Sequence, residues 1–360
     1  IDSLEIREAT AQQHQSSPGS TLALEDLSSL QDNLANLQQS TVLLYPLILE
    51  DRLELILITP DAPPLRRTVA VNAAALNQTI FEFRQVLQSP NQNPLPPAQQ
   101  LYQWLIAPFE NELAQLNTEA IIFSPDRTLR YIPLAALHDG DQWLVEHFTL
   151  NTITSARLNN FDTAPTATPR LLLAGFTEGK ADINLSDKTI QLAGLPGVAQ
   201  EIEAISTLVP TADILINEDF SAAALELRLS AYNIIHLATH ALFLPGSPRD
   251  SFILMGNGET LTLRDLRRWD LRNVDLMVLS SSETALGGIL GDGTEVLGMG
   301  YTMERAGAKA VLASLWNVSD QSTPILMADF YQGLATRQSY AAALRQAQIA
   351  MITTPPTAES

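Results

Sequence analysis

"VDLMVLSSSET", residues Val274–Thr284, sets an unbroken apolar run directly against three serines, a glutamate and a threonine. A short apolar run bounded by polar residues reads as a strand buried on both faces. The strand is expected over Val274–Ser280, with the serine cluster at its carboxyl end where a loop begins. The same grammar recurs on either side. "RLLLAGF" (Arg170–Phe176), "ADILIN" (Ala212–Asn217), "NIIHLATH" (Asn233–His240) and "AKAVLASLW" (Ala308–Trp316) read as strands. Between them lie helical stretches: "PGVAQEIEAISTLV", "FSAAALELRLS", "LTLRDLRRW" and "GTEVLGMGYTMERAG", the last ending at Gly307. Two further helices are expected near Thr323–Leu334 and Tyr340–Met351. Strand–helix alternation of this kind implies an α/β fold with a mostly parallel sheet and helices on both faces.

Upstream the rhythm differs. Residues 1–20, with "TAQQHQSSPGS", read as a tether, and Leu22–Gln38 as a helix with Leu27, Leu30, Leu34 and Leu37 at helical spacing. "TVLLYPLILE" and "RLELILITP", split by Glu50-Asp51, read as a β-hairpin. Helical stretches follow around 72–88 and 97–116, divided by "SPNQNPLPP", and then the short strand "AIIFSP". Residues 21–158 are thus a smaller α/β subdomain with a packing role. "NNFDTAPTATPR" (159–170) is the linker, rich in Pro and Thr and poor in apolar residues. Residues 171–355 form the second subdomain.

Composition narrows the function. The chain has 360 residues, more than one core usually organises, and 46% are hydrophobic, enough to bury sizeable cores. Its net charge of −19 opposes a nucleic-acid or anionic-membrane partner, because the electrostatic contribution to binding would be repulsive. No apolar stretch approaches the ~18 residues needed to span a bilayer. The absence of cysteine removes disulfides and zinc–thiolate sites and fits a reducing, cytoplasmic setting. The chain begins at Ile1 with no signal-like run, and is expected to be a fragment or processed product of a longer protein.

Ligands of parallel sheets bind beyond the carboxyl ends of the strands. Three such ends carry chemistry: His240, the serine cluster Ser280–Ser282, and Trp316 to Asp320. His236 and His240 stand four apart, the zinc-site spacing on a helix, but Leu237 stands where that motif needs its glutamate. On a strand the pair would be ~13 Å apart, too far to share an ion, so no metal or cofactor is expected. His236 reads as a satisfied core histidine and His240 as catalytic. "GGILGDG" lacks the Lys-Ser/Thr of a phosphate loop, and Asp292 within it reads as capping or charging the following helix. "RDLRRWDLR" reads as a solvated basic face. The Gly-x-Ser-x-Gly elbow of serine hydrolases is absent, and no third triad acid stands out.

Taken together, "HLATHALF" (His236–Phe243), "VDLMVLSSSETALGG", "GAKAVLASLWNVSD" (Gly307–Asp320) and "LMADFYQGL" (Leu326–Leu334) resemble the CHAT domain family, caspase-like relatives of clan CD cysteine peptidases. "LAGLPGVAQEI" and "PDRTLRYIPLAALHD" match its upstream segments, so the resemblance covers roughly Glu119–Met351. It implies a caspase-like sheet preceded by a smaller α/β subdomain. The family pattern Leu-Ser-Ala-Cys-Glu-Thr falls on Leu279–Thr284, putting the nucleophilic cysteine at Ser282. Ala-Thr-His-Gly puts the catalytic histidine at His240, with Ala241 in the glycine's place. Backbone N–H groups at Ala241 and Ser282 would form the oxyanion hole.

"SLWNVSD" (Ser314–Asp320) resembles the matching segment of separase, which cleaves after arginine. Asp320 is therefore the first candidate for recognising a basic P1 residue, with Asp292 and Glu283 behind it; a helix N-cap is the other reading of Asp320. The implied partners are a protein or peptide substrate and an upstream TPR or other sensor module, with no nucleic acid or membrane. Three readings of Ser282 stand open: an introduced inactivating change from cysteine, a natural pseudopeptidase, or an active serine variant.

Overall fold

The computed structural model describes residues 24–89, 91–153, 169–185, 188–242, 251–283, 300, 302–315 and 322–354, with 24–26, 263 and 281–283 described by backbone alone. Two compact units divide at Asp162 and Thr163.

In the first unit, helix α1 (Leu24–Ala35) precedes the hairpin β1 (Thr41–Ile48) and β2 (Leu53–Ile58), as the two apolar runs anticipate. Leu30 and Leu34 of α1 pack on Leu43, Tyr45 and Leu47 of β1. A third strand, β3 (Leu65–Val69), pairs antiparallel with β2. Its sequence "LRRTV" has too little apolar character to signal a strand. Glu54 of β2 explains Arg66, while Arg67 donates to Glu112. The buried Glu54 carboxylate accepts from Arg52, Arg66 and Thr68, the last two on β3. Helix α2 (Ala73–Leu87) starts where the Asn72 side chain accepts the Ala75 N–H. The helical stretch expected over 97–116 is broken into α3 (Leu95–Leu105), a 3₁₀ turn (Ala107–Phe109) and α4 (Glu110–Gln115). Pro108 lacks the N–H a continuous helix needs, and its ring crowds the preceding turn. Strand β4 (Ala120–Phe123), short helix α5 (Leu144–His147) and β5 (Thr149–Thr152) complete the sheet, in order β3-β2-β1-β4-β5, with β1, β4 and β5 parallel.

The second unit contains β6 (Leu171–Gly175), a separate two-stranded hairpin β7 (Lys180–Asn184) and β8 (Thr189–Ala193), and helix α6 (Pro196–Leu208). Strand β9 (Asp213–Ile216), α7 (Ala222–Glu226) and the nine-residue β10 (Ile234–Leu242) follow. Then come β11 (Phe252–Leu254), β12 (Thr260–Thr262), α8 (Leu263–Leu266), β13 (Leu276–Glu283) and β14 (Ala310–Ala313). Helices α9 (Thr323–Ala335) and α10 (Tyr340–Thr353) end the unit. The parallel strands lie in the order β9-β6-β10-β13-β14. Read as 2-1-3-4-5, this is a doubly wound sheet whose strand order reverses between β6 and β10.

Both faces are covered, which is why the strands read as continuous apolar runs rather than alternating ones. On one face, Val198, Ile202 and Ile205 of α6, Met327, Phe330 and Tyr331 of α9 and Ala343 and Ala347 of α10 pack on Leu171, Leu173, Ile234, Leu276 and Val278. On the other, Phe220, Leu225, Leu266, Trp269 and Met303 pack on Leu172, Ala174, Ile235, Leu237 and Met277. Gly307 has φ +118, its N–H donates to Glu304, and the Ala308 N–H donates to Met303. That is the Schellman arrangement expected of a helix-ending glycine. Arg264, Arg267 and Arg268 are exposed, as a solvated basic face requires. Among the described residues, no helix is long and apolar enough to cross a membrane.

Candidate active site

Strand β10 outruns its neighbour β6. The pairing of the two ends at Ala238 opposite Gly175, whereas β10 continues four residues further. Over that extension the antiparallel β11 takes up the edge that β6 leaves, through Ala241–Ile253 and Leu242–Phe252. On its other side β10 stays paired with β13 along nearly its whole length, from Ile234–Leu276 to Ala241–Glu283. The serines therefore do not begin a loop, as the apolar pattern alone suggests. They sit inside β13, because the ladder with an extended β10 continues past the last apolar residue. Within that ladder His240 and Ser282 are direct partners, placing their backbones about 4.8 Å apart across the sheet. Residues about forty positions apart in sequence are brought together by register.

The His240 side chain is 7% exposed and its two nitrogens have different fates. Nε2 lies 2.7 Å from the carbonyl oxygen of Ala193, the last residue of β8. A carbonyl only accepts, so this nitrogen carries the proton and the neutral ring is the Nε2–H tautomer. Nδ1 is then a bare lone pair, and it is buried with no hydrogen-bond partner among the described residues. The Phe176 ring meets the imidazole edge-on, with centroids 6.4 Å apart. A buried acceptor left unpaired costs stability unless it has a task. Here it is the atom a general base would use.

His236 is the contrast. It is fully buried, its Nδ1 lies 3.1 Å from the Tyr331 hydroxyl, and its Nε2 lies 2.9 Å from Glu201 Oε1. The Glu201 approach is close enough for ion pairing but lies off the N–H direction, so neither atom gains a directed hydrogen bond. Burial, followed by the Glu201 charge and then Tyr340, pushes the Tyr331 hydroxyl well above its ordinary pKa, so it stays protonated beside His236 Nδ1. His236 is packed in the core as the sequence suggests, but it is not the satisfied histidine expected there, because its Nε2 lacks a directed hydrogen bond. With His236 engaged by Glu201 and Tyr331 and His240 by Ala193, the two do not converge on an ion. Among the described residues no group of His, Asp or Glu could hold a metal.

Of the other expected site residues, Ala241 is fully buried within β10, flanked by Ile253 and Glu283. Glu283 is the last residue of β13. Asp292, Trp316 and Asp320 lie outside the described residues. A groove of about 650 Å³ lies among Asp182, Glu226, Glu259, Asp265, Arg268 and Trp269. His240 is not among the described residues that line it. Two of its carboxylates already have structural partners, Asp265 at the Thr262 cap and Asp182 with Gln191.

The functional group that sequence reasoning missed is the Ala193 carbonyl. A backbone oxygen has no residue-type signature. The β7–β8 hairpin that carries it alternates small, charged and apolar residues in "KADIN" and "TIQLA", a pattern too weakly apolar to announce itself.

A model of the CHAT domain family matches residues 95–359, well over half of the chain. No curated protein matches it.

Proposed function

The chain belongs to the CHAT domain family, whose fold is caspase-like and peptidase-related, and from that premise we propose that it is an endopeptidase of the Cys/His type whose nucleophile position is held by Ser282. The observation that carries this reading is the His240 imidazole, with Nε2–H on Ala193, Nδ1 without a partner among the described residues and Ser282 as register partner. With a thiol at position 282, Nδ1 accepts its proton and the thiolate attacks the scissile carbonyl. The proton then passes from Nδ1 to the departing amine. While the ring is cationic, the Ala193 carbonyl stabilises it and keeps it from rotating, a role carboxylates play in triads. Backbone N–H groups near Ala241 and Ser282 hold the oxyanion.

The substrate is a protein or peptide with Arg or Lys at P1, recognised by Asp320 and secondarily by Asp292 or Glu283. An upstream TPR or other sensor module governs access, and the setting is cytoplasmic. A serine hydroxyl needs stronger base assistance than a thiol, and His240 is backed by a neutral carbonyl rather than an acid. The chain with Ser282 is accordingly silent. Ser282 itself favours a second reading, a natural pseudopeptidase that holds a peptide or partner without cutting it.

Peptide cleavage by Ser282→Cys separates the two. The panel carries Arg, Lys, Asp or Leu at P1, beside the chain with Ser282 and the Ser282→Cys/His240→Ala double variant. Turnover after Arg or Lys that vanishes with His240 supports the silenced protease. Peptide binding without turnover in every variant moves the function to recognition.

A further inference from the structure

The tautomer of His240 depends on where the Ala193 carbonyl sits, and Ala193 does not hold itself in place. The next residue, Gly194, touches the loop after β6 so closely that a Cβ on it would lie 2.3 Å from the Glu178 nitrogen. The Gly194 N–H donates to Gly179 and the Leu195 N–H to Phe176, both at 3.0 Å. The position of Ala193 is thus set by the segment Phe176–Gly179, which also supplies the ring packed on His240.

That segment is bracketed by one side chain. Asn217, just past the end of β9, accepts the Thr177 N–H at 2.9 Å and the Glu178 N–H at 3.3 Å on its Oδ1. Its Nδ2 donates to Thr177 Oγ1 at 3.0 Å. The bonds span about forty positions in sequence and join the carboxyl ends of neighbouring strands. Asn217 is itself fixed. Its backbone takes φ +50, its carbonyl accepts the Phe220 N–H, and Gly256 packs where a Cβ would lie 2.3 Å from that carbonyl oxygen. Left-handed loop positions favour asparagine on conformational grounds alone. That preference explains the residue type but not the bracket its side chain makes to Thr177 and Glu178.

We propose that Asn217 is a positioning residue that acts through Thr177–Gly179 and Gly194 to hold the Ala193 carbonyl on His240 Nε2, leaving Nδ1 as the basic atom. Its relevance to cleavage rests on the function proposed above; its effect on the His240 tautomer does not. A neutral imidazole has one N–H, and the best-placed acceptor decides which nitrogen keeps it. At 2.7 Å the Ala193 bond is near its optimum. A drift of about 1 Å takes it beyond hydrogen-bonding range.

The test uses the 360-residue chain with Ser282, ¹⁵N-labelled at histidine, with the His240 signals identified by their loss in His240→Ala. Asn217→Gly keeps the left-handed backbone while removing every side-chain bond. Asn217→Asp keeps the acceptor. Long-range ¹H–¹⁵N spectra should show a single Nε2–H tautomer for His240 in the parent and the Asp variant, and a mixture in the Gly variant. His236, held by Glu201 and Tyr331, should stay unchanged throughout.

In a Ser282→Cys background, Asn217→Gly should lower kcat on the order of tenfold or more with little change in KM, and Asn217→Asp should restore most of it. An unchanged Nε2–H tautomer in Asn217→Gly overturns the proposal. So does a disturbance that reaches His236 equally, which marks a merely structural effect. Should the Gly variant not fold, Asn217→Ser replaces it: serine is too short to reach both N–H groups, so a mixed tautomer supports the proposal and an unchanged one overturns it. A Ser282→Cys chain without turnover would count against the proposed function alone, since the tautomer is read without it.

Discussion

Both units place polar side chains at the carboxyl ends of parallel strands, but they use them differently. After β4 of the first unit, Asp126 is 4% exposed and its carboxylate accepts the Ile48 N–H at the end of β1. Nearby, the Arg84 guanidinium donates to the Tyr131 carbonyl and Thr128 to Asn77. At the corresponding edge of the second unit, His240 keeps one nitrogen bonded and leaves the other bare among the described residues. The strand-end geometry offers both uses. A polar group whose bonds are complete holds a fold together, while one left incomplete within a defined frame is available to a substrate.

The contrast can be broken or sharpened by experiment. In a Ser282→Cys background, His240→Ala should lower kcat/KM about 10²- to 10⁴-fold, the usual contribution of a general base, with little change in melting temperature; peptide cleavage and a thermal scan test this. A loss of stability without a loss of cleavage would place His240 with the structural groups. Glu201→Ala removes the carboxylate beside the Nε2 of a fully buried His236 and should cost about 1–3 kcal/mol in urea unfolding. The His240 tautomer should be untouched.

Glu54 supplies a pH-dependent version in the first unit. Burial alone would raise its pKa, but hydrogen bonds from Arg66, Arg52 and Thr68 outweigh burial and hold it at about 2, below the ordinary 4.5. A carboxylate depressed in the folded state stabilises above its unfolded pKa, and the stabilisation is lost as pH falls through the folded value. The stability gap between the parent and Glu54→Gln should therefore be widest near neutral pH. It should shrink between about pH 4.5 and 2, as measured by denaturant unfolding across that range. The smallest effect is expected at a cap. The Ser339 hydroxyl accepts the Ala342 N–H at the start of α10, and Ser339→Ala should cost about 1 kcal/mol while Ser339→Gly costs only a few tenths.

Much of the fold is legible because burial on both faces leaves continuous apolar strands and helices of ordinary length. Leu171–Gly175, Ile234–Leu242 and Pro196–Leu208 fall close to where their residues place them. Three elements escape that reading. Strand β3 is held by Arg66 pairing with Glu54, the β7–β8 hairpin exposes alternate residues, and β11 and β12 are only three residues each, too short to set a pattern. The expected helix "LTLRDLRRW" contracts to Leu263–Leu266 because Thr260–Thr262 pairs with β11 and Thr262 forms the N-cap of α8.

By itself the sequence determined the α/β class and the parallel sheet covered on both faces, and it singled out His240 and the serine cluster as the candidate site residues. These follow from local composition and spacing, which survive in one dimension. Only the tertiary structure decided that Ser282 is the register partner of His240, because the register between strands distant in sequence exists only once β10 and β13 pair in the sheet. Tertiary structure alone also decided which imidazole nitrogen is basic. That choice belongs to a backbone carbonyl at Ala193 and to the bracket that Asn217 makes around its neighbours, and hydrogen bonds of this kind exist only once the chain has folded.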